Sequence, residues 1–528
     1  MKMNSRLYVV VLSLFGFMGC SDDFLDAEPL TEQTTSNFYQ TTEDAWTALV
    51  GCYDGMQVAT GAYAEGFYTV SEVLSDDCFG GTGNSDGFGY QAMDEFDINR
   101  APGSVNLLGG VWAGYYKGIN RVNTLLQYMD QINWEGQDAL RERYESEARF
   151  IRAYLYFDMV RLWGNIPLLT EPSAENIPQS DPDEVYAVIA QDLLFAASHL
   201  PEEAYSAVEN GRVTRWAAKS MLGRVYLYYT GYYGQPDLVG LVSSAEALQH
   251  LEDVIEMSGH GLVSDFSQLW PAASTTDYAG EDNLEVVFSV KYTHTSDYNG
   301  NTDGNHWMVM FGMREFSSFP YGNGWGVTVN SKLYDLYSDT DSRRLSTIIA
   351  IEEEEVPFDN QAGQREYTGY YNKKYAPMVD EEGSSLAVLV GGVNFMIGQF
   401  QDYTVMRYAD VLLMAAELGS ANAQTYFNEV RQRAYGDDFS QIAPNQQNIM
   451  NERHLEFALE GIRYWDLMRQ GVGTAASEIA ESTVLLNGGV ETDKTISASK
   501  IEATQGLSQI PNSQIALSGG VLQQNAGW

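Results

Sequence analysis

Glu147-Ala148-Arg149-Phe150-Ile151-Arg152-Ala153-Tyr154-Leu155-Tyr156-Phe157, running on to Arg161-Leu162-Trp163-Gly164-Asn165-Ile166-Pro167-Leu168, is the stretch that decides the fold. Ala148, Ile151, Leu155, Met159 and Leu162 step by three or four, so they share one face of a helix over 141–163. Glu145 and Arg149 sit four apart on that helix, and Gly164 followed by Pro167 ends it. Arg152 and Arg161 fall inside the apolar pattern, where a charge is best satisfied by pairing or hydrogen bonding within the protein.

Outward from this segment, Thr214 is placed to cap a second helix whose face runs through Ala217, Met221, Val225 and Tyr228 to Gly231. Helical patterns also cover 42–56, 111–129, 183–199, 244–257, 403–418, 423–434 and 448–469, mostly as neighbouring pairs. Paired helices are the unit of tetratricopeptide-like solenoids, although no clean repeat at that period of about 34 residues is visible. Between about 261 and 398 Gly, Asn, Asp and Tyr accumulate, helical periodicity fades, and 284–292 reads as a short strand. The expectation is a mainly α fold in which one helical domain, 41–528, carries a loop-rich insert at about 261–398 that faces the ligand.

At 528 residues, 44% hydrophobic and 12% aromatic, the chain can bury a large core without a disulfide framework. Lys2, Arg6 and the apolar run 7–18, too short to span a bilayer, form a secretory signal peptide over 1–19. Cys20 directly follows Gly19, as in a lipobox, and is the expected lipidation site, with 20–40 as a lipidated tether. Acyl chains on Cys20 would hold the protein on a membrane without a transmembrane helix. Cys52 and Cys78 remain, and one disulfide or two buried thiols are both open readings. The formal net charge is −42 and becomes more negative by two once Lys2 and Arg6 leave, which excludes nucleic acid as a partner. An acidic surface rich in Tyr and Asn suits neutral polar ligands such as sugars, or serves solubility alone.

The opening stretch resembles the most recognisable segment of the SusD/RagB family. Arg407-Tyr408-Ala409-Asp410-Val411-Leu412-Leu413-Met414 with Ala416-Glu417, and Asn428-Glu429-Val430-Arg431-Gln432-Arg433-Ala434, resemble the family's later helices. Glu452-Arg453-His454-Leu455-Glu456-Phe457-Ala458-Leu459-Glu460-Gly461 with Arg463-Tyr464-Trp465-Asp466-Leu467 resembles another of its motifs, and the ending Gln524-Asn525-Ala526-Gly527-Trp528 fits. His454 and the final Trp528 are the departures. The resemblance implies a SusD-like helical scaffold with four tetratricopeptide-like units. It also implies a lipid-anchored, surface-exposed place on the outer membrane, and a role handing oligosaccharide or polysaccharide to a SusC-like, TonB-dependent transporter. The tract Ser21-Asp22-Asp23-Phe24-Leu25-Asp26 resembles the acidic signal that routes some lipoproteins to that surface.

A sugar offers weakly apolar C–H faces and a polar rim, so its site needs aromatic platforms flanked by amides and charges. Two segments have that composition. The first gives Asp76, Asp77, Phe79, Asn84 and Tyr90; the second gives Tyr298, His306, Trp307, Tyr321 and Trp325. Arg152, Arg161, Glu452 and Glu456 are expected to be architecture. No catalytic residue, metal or cofactor is expected. Gly83-Asn84-Ser85-Asp86-Gly87 matches G-x-S-x-G but lies in loop sequence, the histidines show no H-E-x-x-H, and acidic pairs such as Asp76 with Asp94 are too abundant to single out a glycosidase. Peptide uptake, as in RagB-like members, and a purely structural subunit are the remaining alternatives.

Overall fold

The computed structural model describes residues 37–207, 209 and 211–528; the signal peptide and Cys20 lie outside the described residues. Its framework is a stack of helix pairs. Helix α1 (Thr42–Gly61) opens with a capping box in which the Thr41 hydroxyl accepts from the Asp44 N–H and the Asp44 carboxylate accepts from the Thr41 N–H. Strand β1 (Cys78–Phe79) follows, and α1 packs on α2 (Gly109–Tyr128). A Cβ on Gly118 would meet the Gly55 carbonyl at 3.0 Å and Leu155 Cδ1 at 2.9 Å, so glycine is what lets the two backbones cross this closely.

Helix α3 (Asp138–Trp163), the one decided by the opening stretch, packs on α4 (Pro182–His199) and α5 (Arg215–Tyr233) on α6 (Ser244–Met257). Thr214 caps α5 as expected, its hydroxyl accepting from the Ala217 N–H at 3.1 Å. Strands β2 (Val286–Val290), β3 (Thr328–Val329) and β4 (Tyr403–Arg407) follow; β2 pairs with β4 and β1 with β3, all antiparallel. Helices α7 (Tyr408–Glu417), α8 (Ala423–Tyr435) and α9 (Gln446–Phe457) complete the scaffold, and α7 packs on α6, α8 and α9. A hairpin of β5 (Glu481–Asn487) and β6 (Val490–Ile496) comes near the end of the chain.

Two expected helices are cut short by tertiary partners. The 403–418 pattern becomes a strand over its first five residues because β2 needs a partner. The 448–469 pattern breaks at Ala458, since Leu459 (φ 61°) offers its carbonyl to the Tyr68 hydroxyl at 2.8 Å and Gly461 (φ 75°) donates its N–H to Glu72. Cys52 and Cys78 are buried free thiols, which settles the open alternative.

The charges inside the motifs hold the scaffold together. Arg152 grips Asp192 through two bonds of 2.7 and 2.9 Å, tying α3 to α4, and Arg161 donates to Asp158 at 2.6 Å beneath the rings of Phe157 and Phe67. Glu456 lies between Arg343, Arg407 and Arg433, and Glu452 between Arg343 and Arg431. Among the described residues no helix is long and apolar enough to cross a membrane.

Candidate glycan-binding surface

The glycine-rich loop after β1 is shaped by backbone crowding. A Cβ on Gly81 would meet the Arg365 carbonyl at 2.8 Å and that of Gly326 at 2.9 Å, and one on Gly83 would collide with the Arg314 guanidinium. Backbone bonds draw one distant segment, 363–365, to this loop and a second onto that segment. The Asn84 N–H donates to the Gly363 carbonyl at 2.9 Å, Arg365 N–H to Thr82 at 2.9 Å, and Gly488 N–H, in the turn of the β5–β6 hairpin, to Gln364 at 2.8 Å.

On this base two rings reach the surface. Phe88 is 42% exposed, with the guanidinium of Arg365 4.1 Å and that of Arg100 4.9 Å from its centroid. Arg365 donates to the Gly87 carbonyl at 3.2 Å, fixing the backbone just before the ring. Asp86 accepts from Arg314 at 2.8 Å, and that guanidinium lies 5.0 Å from the centroid of half-buried Trp325. Asn84 stands exposed beside them. The two rings can stack on the C–H face of a sugar, and exposed Asn84 and Arg100 can donate to its hydroxyls, while buried Arg365 and Asp86-paired Arg314 hold the rings in place.

The structure brings Asn84 and Trp325 together here and places the other candidate residues elsewhere. Asp76 accepts from Arg463 on both oxygens, at 2.8 and 2.6 Å; Asp77, 1% exposed, accepts from His454 at 2.6 Å. Phe79 is buried in β1, and Tyr90 is buried with its hydroxyl 3.3 Å from Glu65. Trp307 is fully buried and stacked on Tyr68 at 4.0 Å, and half-buried His306 turns Nδ1 toward the Ala62 carbonyl, burial pushing its pKa down. Tyr321 is buried and donates to Glu354 at 2.8 Å, so these side chains are spent on the interior. Tyr298 is 64% exposed but belongs to another loop, where its hydroxyl accepts from Asn394 at 2.9 Å.

Sequence reasoning missed Arg100, Arg314, Arg365 and the hairpin turn. Asn487-Gly488-Gly489 between apolar Leu486 and Val490 was a readable hairpin signal; nothing in the sequence places the arginines beside Phe88. A larger cavity of about 270 Å³ opens between Tyr205, Arg212, His260 and β2. Its cations are already paired, Arg212 with Glu147 and Glu209, Lys291 with Asp282 and Asp402.

Two family models match the chain, one described as the SusD family over residues 357–528 and one as starch-binding associating with outer membrane over residues 23–227. The chain belongs to the SusD family. A SusD-like protein of Bacteroides ovatus is 26% identical to this SusD-family chain over 489 residues, covering 88% of this chain and 82% of its own. Among solved structures, a laminarin-binding SusD-like protein superposes with a TM-score of 0.72 at 27% identity, over 93% of this chain and 100% of its own. Surface glycan-binding protein A of Bacteroides thetaiotaomicron, in complex with laminarihexaose, shares the fold with a TM-score of 0.73 at 22% identity, again over 93% and 100%. The mainly helical SusD-like scaffold expected from the sequence is thus the observed one.

Proposed function

We propose that this protein is a cell-surface lipoprotein that captures an oligosaccharide on the Phe88–Trp325 surface and delivers it to a SusC-like, TonB-dependent transporter. The observation that carries the reading is the convergence of exposed Phe88, half-buried Trp325, Asn84 and Arg100 on a base built from four sequence-distant segments. Membership of the SusD family and similarity to a laminarin-binding relative support a glycan as the ligand. Lipid attachment at Cys20, removal of residues 1–19 and a tether over 20–40 complete the reading, and the family model's association with the outer membrane supports that placement.

Capture without hydrolysis fits the carboxylates of the surface. Asp86 is engaged by Arg314, while Asp94 and Glu366 are buried on Lys494, so none is free to flank a scissile bond. The G-x-S-x-G match forms a turn, 83–87, set apart from the two-residue strand β1 and from the six-residue helix Gly89–Asp94, so exposed Ser85 does not sit on the direct strand-to-helix turn of a nucleophile elbow. Affinity gel electrophoresis of the form beginning at Ser21, against neutral and acidic polysaccharides, tests the reading. Selective retardation supports it, and no retardation by any polysaccharide, with binding to peptides instead, overturns it.

A further inference from the structure

Lys494 is the one charged residue of strand β6 that turns inward. Val490, Glu491, Thr492 and Asp493 are exposed, whereas Lys494 is 4% exposed. Its ammonium donates to both oxygens of Asp94 at 2.8 Å, to Glu366 at 2.9 Å and to Glu95 at 3.1 Å. Each of these carboxylates reaches a different part of the candidate glycan surface. Asp94 accepts the N–H of Gly80, where the glycine-rich loop starts, at 2.7 Å. Glu95 lies 3.7 Å from Arg100, which packs on Phe88. Glu366 follows Arg365, the other guanidinium on Phe88; its backbone is left-handed (φ 52°) and its N–H donates to Asn487 in the hairpin turn at 3.0 Å.

We propose that Lys494 is a positioning residue for the glycan surface, locking the hairpin to loop 80–88, Arg100 and Arg365 so that Phe88 and Trp325 are presented together. The proposal rests on the glycan reading for its purpose and on the geometry alone for its mechanics. Three carboxylates surround one ammonium, and one oxygen of Glu366 has no hydrogen-bond partner among the described residues, so the cluster carries excess buried negative charge. Burial and the neighbouring Glu366 raise the Asp94 carboxyl to about 8 despite Lys494, which lets the cluster keep one proton at neutral pH. Burial alone would lower the Lys494 pKa, but Asp94, Glu366 and Glu95 hold it above its usual range. Arg100 and Arg365 are the other charges facing the cluster.

The test compares wild type, Lys494→Met, Lys494→Arg and Asp94→Asn by hydrogen–deuterium exchange and by titration with laminarihexaose. In folded Lys494→Met, exchange in 80–88 and 364–367 should quicken while α3 and α5 stay protected; binding should weaken about tenfold and Lys494→Arg should recover most of it. Raising the pH through 8 should quicken intrinsic-rate-corrected exchange in 80–88 of wild type but not of Asp94→Asn, a comparison that holds even where Lys494→Met fails to fold. Unchanged protection of 80–88 in folded Lys494→Met, or identical pH behaviour of wild type and Asp94→Asn, overturns the proposal. Failure of wild type to bind laminarihexaose leaves the exchange result to decide on Lys494 and counts separately against β-1,3-glucan as the ligand.

Discussion

Trp307 and Trp325 sit in one aromatic stretch and read alike in the sequence, yet one is fully buried against Tyr68 and the other reaches the surface beside Arg314. Their truncations should therefore separate. Trp307→Ala should lower unfolding free energy by ~3–5 kcal/mol in a denaturant titration, as for other large buried aromatics. Trp325→Ala should leave the melting temperature nearly unchanged and weaken glycan binding about tenfold, or about 1.4 kcal/mol, in calorimetry. Composition pointed to the right segments but could not rank their rings, because burial is set by partners far away in the chain. Tyr68, for one, covers the Trp307 face. The arginines of the surface were illegible for the same reason: Arg365 meets Phe88 only because strands and turns fold 80–88 against 363–366.

Elements were far more legible than sites. Periodicity located the helices of the stacked pairs and the caps at Thr214 and Gly164, since both signals are local. It failed where a tertiary partner outbid local propensity, at β4, which pairs with β2, and at Leu459 and Gly461, whose backbone groups go to Tyr68 and Glu72. The α1–α2 crossing gives the element-scale prediction. Gly118→Val puts a branched side chain where even a Cβ meets Gly55 and Leu155, so it should destabilise the fold by ~1–3 kcal/mol or more, read as a lower denaturation midpoint with the slope unchanged. An unaltered midpoint would mean that the helices are free to part.

The whole molecule couples this architecture to pH through its buried carboxylates. Glu456, despite burial, is held far below the usual range by Arg433, Arg407 and Arg343, and Asp410 by Arg453 and Arg224. A depressed folded pKa contributes stability that is present above the unfolded value of about 4 and lost as pH falls through the folded one. Burial does the opposite to Asp158, raised to about 6, Glu281, raised to about 7, and Asp94, raised to about 8. These keep a proton that the unfolded chain has released, so they cost stability progressively as pH rises from about 4 to 8. Half-buried His250, His260 and His306, whose pKa values desolvation lowers, favour the fold less as pH falls below about 6.5. The melting temperature should thus peak between about pH 5 and 7, drop steeply below 4 and decline toward 9, with Asp94→Asn flattening the alkaline side in a calorimetric series.

Capture of a glycan on the Phe88–Trp325 surface is tested most directly by affinity gel electrophoresis of the soluble form beginning at Ser21. Wild type, Trp325→Ala and Tyr298→Ala are run through gels containing laminarin and a panel of plant, host and microbial polysaccharides. The prediction is that at least one polysaccharide retards wild type and Tyr298→Ala equally while Trp325→Ala runs nearly free. Equal retardation of Trp325→Ala and wild type would move the site away from this surface, and no retardation of wild type by any polysaccharide would contradict glycan capture itself.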